Sequence, residues 1–314
     1  MKTNPYKVFL IKLVAFFALM FILDRSIGSI LNYFYFEKKC DVSSTNYAIE
    51  KTKDEMLIFG SSRAYRHYIP EIFENDFNLS CFNTGLDGQS LFYNYAVLKG
   101  VLKRYSPEII ILDLNHMSFK FSQKHYDRLS ALLPYYKNHP EIRSIIELKS
   151  RYEKIKLLSS IYPYNSLIIP IVQSNANKNT KIKYKGYKPI MATWDGSVKT
   201  DVYADGYSDK YEISKKTVGI YEAFIKDCIN SKVKLYIVCS PRLVKSNKTD
   251  YTIALGKRIA KKNNIMFIDY SKESVFINNP KLFANPGHLN FKGAEIFSKM
   301  ISADIKKAIE QNKK

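Results

Sequence analysis

The chain has 314 residues and a mass of 36.4 kDa, room for one large domain or two small ones. Apolar residues make up 46% and charged residues 25%, with 12 Gly, 11 Pro and four Cys. These figures exclude bulk disorder, collagen-like repeats and a small disulfide-stapled scaffold. Lys and Arg total 49 against 29 Asp and Glu, a formal net charge of +20. Such a surface attracts anions, but the lysines are scattered rather than gathered in one block. No basic-aromatic module accompanies the charge, so no nucleic-acid partner is expected.

Lys2, Lys7 and Lys12 lead into an apolar run of eleven residues, Leu13 to Leu23. Apolar character begins at Val8 and resumes after Asp24-Arg25 through Leu31, 24 residues in all. Lys12 and Arg25 can extend their stems and place their charges near the two membrane interfaces. That length suits a tilted spanning helix. No small-x-small cleavage site follows Leu23, so an uncleaved signal-anchor over residues 1–40 is expected rather than a removed signal. The early lysines place the N-terminus in the cytoplasm, and hence residues 41–314 on the periplasmic or extracytoplasmic side.

Beyond Asp41, strand-like and helix-like segments alternate. Glu55 to Phe59 reads as a first strand, Leu79 to Phe82 as a second and Glu108 to Leu114 as a third. Val233 to Cys239 and Ile265 to Ile268 are the fourth and fifth. Apolar residues at helical spacing predict helices over Gln89 to Arg104, Ile213 to Cys228, Ile253 to Ala260 and Ala294 to Ala308. Unbroken apolar strands between helices predict an α/β domain: a doubly wound, five-stranded parallel sheet. The alternation breaks over about 120–210, a long insertion between strands 3 and 4. Residues 138–160 within it are predicted helical. Residues 161–210 carry Trp194 and a lysine cluster of Lys178, Lys181, Lys183, Lys185 and Lys188. So long an insertion is expected to be a lid or substrate-facing subregion. Cys81 and Cys239 sit in strands as core residues and Cys228 on a helix. Cys40 lies beside the anchor. No pair has metal-ligand spacing, and neither metal nor cofactor is expected.

In doubly wound sheets, ligands bind beyond the carboxyl ends of the strands. Gly60-Ser61-Ser62-Arg63 follows the first strand, and a serine on such a turn can project its hydroxyl into the cleft. Asn83-Thr84-Gly85-Leu86-Asp87-Gly88 follows the second, where glycine lets a backbone N–H approach a substrate oxygen. Asn115-His116 follows the third. Asn285-Pro286-Gly287-His288-Leu289-Asn290 precedes the last helix and places a base at its entry. Each piece alone is ordinary turn chemistry; their order at successive strand ends gives them weight.

That ordered set resembles the SGNH/GDSL hydrolase superfamily over roughly residues 54–311. Ile58 to Arg63 is similar to the family's first block, and Gly287 to Ala294 to its last. The resemblance implies a flavodoxin-like SGNH fold with Ser62 as nucleophile and His288 as base. It also implies an oxyanion hole of Ser62 and Gly88 backbone N–H groups with the Asn115 side chain. Asn115 matches the third block loosely, because the Gly-x-Asn-Asp pattern is absent. The family's triad aspartate lies three residues before the histidine, and here that position is Asn285. Three readings stand: Asn285 orients a neutral imidazole; another carboxylate such as Asp269 stands in; or hydrolysis has been lost and binding kept. Membrane-tethered relatives with a Gly-Ser-Ser first block imply an esterase or O-acyltransferase working on acetyl or other acyl esters of cell-envelope polysaccharide. Its partners would be an acylated carbohydrate or other ester, the membrane and envelope polysaccharide machinery. The alternative is an inactive relative that binds glycan or an envelope partner.

Overall fold

A computed structural model describes residues 4–36, 44–176, 183–196, 211–243 and 250–311. The chain divides into two compact units, one of residues 1–42 with 129–181 and the other of residues 43–128 with 182–314. Cys40, Lys178 and Lys181 lie outside the described residues.

The larger unit is the expected α/β sheet. Its strands are β1 (Met56–Phe59), β2 (Cys81–Asn83), β3 (Ile109–Asp113), β4 (Lys234–Cys239) and β5 (Met266–Asp269). All pairings are parallel, in the order β2-β1-β3-β4-β5. This is a doubly wound order, whose ligand crevice lies between β1 and β3. Four consecutive apolar residues in β1 and four in β3 are fully buried, as a strand covered on both faces requires.

Side chains of alternate parity serve the two faces. Met56, Ile58, Ile109 and Ile111 share a core cluster with Tyr68, Phe73, Phe297 and Ile301. This face carries α2 (Ser62–His67) and α3 (Pro70–Phe77), packed against a C-terminal helix, Phe291–Gln311. Phe59, of the other parity, meets Phe224 with ring centroids 5.5 Å apart. Phe224 belongs to α5 (Lys215–Asn230), which packs on α4 (Leu91–Leu102). Helix α6 (Tyr251–Lys262) leads into β5. Asp250 caps it by accepting the Ile253 N–H at 3.2 Å.

The smaller unit contains α1 (Pro5–Phe36), 32 residues long and apolar enough to cross a membrane, with a peak mean hydropathy of 2.2. The helix predicted over 138–160 is not one helix. Pro140 opens a short 3₁₀ turn, a four-residue α-turn follows from Arg143, and Ser150 adopts extended backbone before a last turn at Glu153–Lys156. Pro140 begins a helix easily, but the extended backbone at Ser150 interrupts the i to i+4 ladder.

Phe297 is the hinge of the inner core. It is fully buried and its ring touches those of His67, Tyr68, Tyr270 and Phe276. Phe297→Ala is expected to lower the unfolding free energy by about 3–5 kcal/mol, measured by urea denaturation. A loss under about 1 kcal/mol would contradict this packing.

Candidate active site

The site is assembled where β1 and β3 end. Gly60 follows β1 with φ +153°, and a Cβ there would lie 2.6 Å from Ala64 Cβ and 3.0 Å from Asp113 Cβ. A side chain would thus both strain the backbone and prise the turn from β3. The tight turn starts α2 at Ser62, a half-buried residue.

A small antiparallel hairpin faces Ser62. Its strands are β6 (Phe283–Asn285) and β7 (His288–Leu289), joined by Pro286-Gly287 and followed by α7 (Phe291–Gln311). Cross-strand pairing sets Asn285 opposite His288, as antiparallel register sets neighbouring side chains together. Three pins hold the hairpin. Leu243 N–H donates to the Pro286 carbonyl at 3.0 Å, and Trp194 N–H to the Phe283 carbonyl at 2.7 Å. Leu289 N–H donates to Nε2 of the fully buried His67 at 3.0 Å.

The geometry at its tip is decisive. His288 Nε2 lies 2.8 Å from Ser62 Oγ, and His288 Nδ1 lies 3.0 Å from Asn285 Oδ1. The same Oδ1 accepts the Gly287 N–H at 3.0 Å. A backbone N–H can face only the carbonyl end of an amide, so the Asn285 oxygen is held toward the imidazole. Nδ1 must then carry the proton, and Nε2 offers its lone pair to the Ser62 hydroxyl. In a serine triad, asparagine for aspartate costs about 10⁴ in kcat because the imidazole takes the wrong tautomer. Here the Gly287 N–H turns the Asn285 oxygen to the ring, which sets the opposite tautomer. Asp269, the other candidate orienter, instead accepts the Ser271 N–H at 2.9 Å.

What asparagine does not supply is charge. Burial, then the nearby guanidinium groups of Arg66 and Arg63, lower the His288 pKa to about 4, against a weaker opposing pull from Asp87. The ring is therefore neutral at pH 7.

Asn115 follows β3. Its Nδ2 donates to the Ser61 hydroxyl, and its Oδ1 accepts from Arg63 Nε at 2.6 Å. Arg63 also donates from Nη1 to the Ser240 carbonyl at 3.0 Å, while its Nη2 stands 4.0 Å from the Asp113 carboxylate. The Tyr68 hydroxyl donates to that carboxylate at 2.7 Å. Burial raises the Asp113 pKa, and Arg63 opposes the rise. Arg63 thus ties the ends of β1, β3 and β4 together beneath the cleft.

Gly88 has φ +71°, and the Arg128 guanidinium fills the space where a side chain would begin. Arg128 Nη1 donates to the Asp87 carbonyl at 3.2 Å, and Arg66 pairs with the Asp87 carboxylate at 2.5 Å. Gly88, Ser61 and Asn115 line one pocket of about 240 Å³ with Ser90, Asn94 and Met117. Asn94 is buried, and its Oδ1 has no hydrogen-bond partner among the described residues. Asn83, by contrast, serves the turn: its side chain donates to the Ala64 and Tyr68 carbonyls and accepts the Gly85 N–H.

Sequence reasoning singled out Ser62, His288 and Asn285, and the structure sets Ser62 and Asn285 against the two ring nitrogens of His288. It missed His67, Arg63 and Asp113, whose roles depend on distant partners. The Asn-Pro-Gly sequence is a turn signal that could have suggested the hairpin. Among the described residues no cluster of His, Cys, Asp or Glu could hold a metal.

No family model matches the chain, and no curated protein does. Among solved structures it is similar to a candidate acylhydrolase from Bacteroides fragilis NCTC 9343. That likeness has 12% identity and a TM-score of 0.38, over 82% of this chain and 89% of that one. An acetyl xylan esterase matches at 14% identity and a TM-score of 0.38, over 81% of this chain and 99% of that one. The functional reading is carried by the chain's own geometry.

Asn285→Asp would set a carboxylate against Nδ1–H and stabilise the imidazolium. The His288 pKa is then expected to rise from about 4, moving the ring's ¹⁵N titration midpoint upward. An unchanged midpoint would show that residue 285 does not face the ring.

Proposed function

We propose that this chain is a membrane-anchored, SGNH-type serine esterase or O-acyltransferase acting on acyl esters, acetyl foremost, of cell-envelope polysaccharide. The observation that carries the reading is the 2.8 Å contact of His288 Nε2 with Ser62 Oγ, backed by the pinned Asn285 carbonyl at Nδ1. A nucleophile, a base and an orienting group in line are what covalent ester chemistry requires.

In this mechanism Ser62 Oγ attacks the acyl carbonyl while its proton passes to His288 Nε2. Backbone N–H groups of Ser62 and Gly88 receive the developing oxyanion, with the second Nδ2–H of Asn115 beside them. His288 then returns the proton to the leaving alcohol. Water attacking the acyl-enzyme completes hydrolysis, and a sugar hydroxyl completes transfer. The 240 Å³ pocket beyond Ser61 has room for a small acyl group. A base with a pKa near 4 is weak but unprotonated above about pH 5, so activity is lost only as pH falls through about 4. The anchor is α1, and the catalytic unit stands outside the cytoplasm.

The second reading is a glycan-binding relative without turnover. The specific observation behind it is an amide, not a carboxylate, at Nδ1 of His288.

The test is labelling by a serine-directed fluorophosphonate, detected by mass spectrometry. The expected result is one adduct, on Ser62, abolished by Ser62→Ala and reduced at least 10²-fold in rate by His288→Ala. A folded wild-type protein that takes no label would establish the binding reading instead.

A further inference from the structure

The turn around Glu153–Lys156 has an unusual outward face. In the run Arg151–Ser160 the single acidic residue, Glu153, is fully buried. It accepts from the Tyr162 hydroxyl at 2.5 Å and the Ser150 hydroxyl at 2.7 Å, with Lys156 at 3.6 Å. Facing outward are Arg151, Tyr152, Lys154, Ile155, Lys156 and Leu158. Ile155 is 66% exposed and Leu158 is 68% exposed. Lys154 reaches Glu147 at 3.3 Å, and Arg151 lies over the Tyr152 ring at 4.5 Å. Basic, aromatic and aliphatic groups on one surface are the composition of segments that lie in a membrane interface.

The position of this face along α1 is fixed by hydrogen bonds. The Asp24 carboxylate accepts from Ser159 Oγ at 2.5 Å, Ser160 N–H at 2.8 Å and Ile161 N–H at 3.3 Å. Arg25 donates from Nη2 to the Leu158 carbonyl at 2.5 Å and from Nη1 to Ser160 Oγ at 2.6 Å. Gly28, buried, abuts Ser160 one turn further on. Before Asp24, α1 is apolar and exposed, from Phe9 at 65% to Leu23 at 45%. Residues 8–23 of a helix extend about 24 Å, and with the Lys12 stem extended toward the near interface they approach the thickness of a bilayer's hydrocarbon core. Asp24 and Arg25 therefore stand where the chain leaves the hydrocarbon, and Leu158 is tied at that same depth.

We propose that residues 151–158 form a docking surface for the lipid bilayer itself. Ile155 and Leu158 enter the headgroup boundary, while Arg151 and Lys156 meet anionic headgroup phosphates. The surface is continuous with the spanning helix, and its charge is complementary to anionic lipid. The proposal rests on reading α1 as spanning the membrane. The latch at Asp24 and Arg25 then fixes the depth of the smaller unit, and not merely the end of its tether.

The test uses the full chain with Cys40→Ser, in nanodiscs of phosphatidylcholine and phosphatidylglycerol. Cys81, Cys228 and Cys239 are buried and do not compete for label. Nitroxides are placed at Ile155→Cys, Leu158→Cys and Phe17→Cys, and collision rates are measured with dissolved oxygen and with a water-soluble nickel chelate. The expected result is that oxygen dominates at all three positions. Nickel access at 155 and 158, or no access by either reagent, with 17 still in lipid overturns the docking surface alone. Nickel access at 17 overturns the spanning reading and the docking surface with it.

Discussion

One backbone N–H sets the orientation on which the proposed chemistry depends. Gly287 donates to the Asn285 carbonyl, and that single contact turns the amide so that its oxygen, not its nitrogen, meets the imidazole. Without it, an Asn side chain could present either end, and half of the arrangements would protonate the wrong ring nitrogen. With it, Nε2 is left free to accept from Ser62. The rest of the site serves this geometry. Leu243 holds the turn, His67 holds β7, and both draw on residues buried in the core.

The electrostatics follow from the same substitution of amide for carboxylate. A serine triad normally buries an anion next to its histidine; here an amide stands at Nδ1 of His288, and the buried carboxylate of Asp113 is met instead by Arg63 and Tyr68. Burial first, and then Arg66 and Arg63 against a weaker pull from Asp87, lower the His288 pKa to about 4. The imidazole thereby loses proton affinity. The proposed ester cleavage, with its modest leaving-group demand, is compatible with so weak a base.

The sheet was legible because its strands are short apolar runs, and the first four end close to Gly, Asn or Ser-Pro. The long apolar helix α1 was legible from eleven apolar residues flanked by charges. Ser62 and His288, 226 positions apart, could be paired only through the resemblance of their motifs, since nothing in the intervening sequence reports their meeting. The hairpin escaped notice because strands of three and two residues are too short to show alternation. Arg63 and His67 escaped for a different reason. Each sits in a six-residue helix with no periodicity of its own, and each takes its role from a carbonyl or N–H supplied by a distant segment. The apparent helix over 138–160 failed where Pro140 and Ser150 divided one apolar pattern into separate turns.

The central claim is a tautomer, and imidazole nitrogen shifts read tautomers directly. In the ¹⁵N-histidine-labelled wild-type chain at pH 7, the His288 resonances should show a protonated Nδ1 and an unprotonated Nε2. A ring protonated at Nε2 would mean that the Asn285 amide nitrogen faces it, and Ser62 would then have no base.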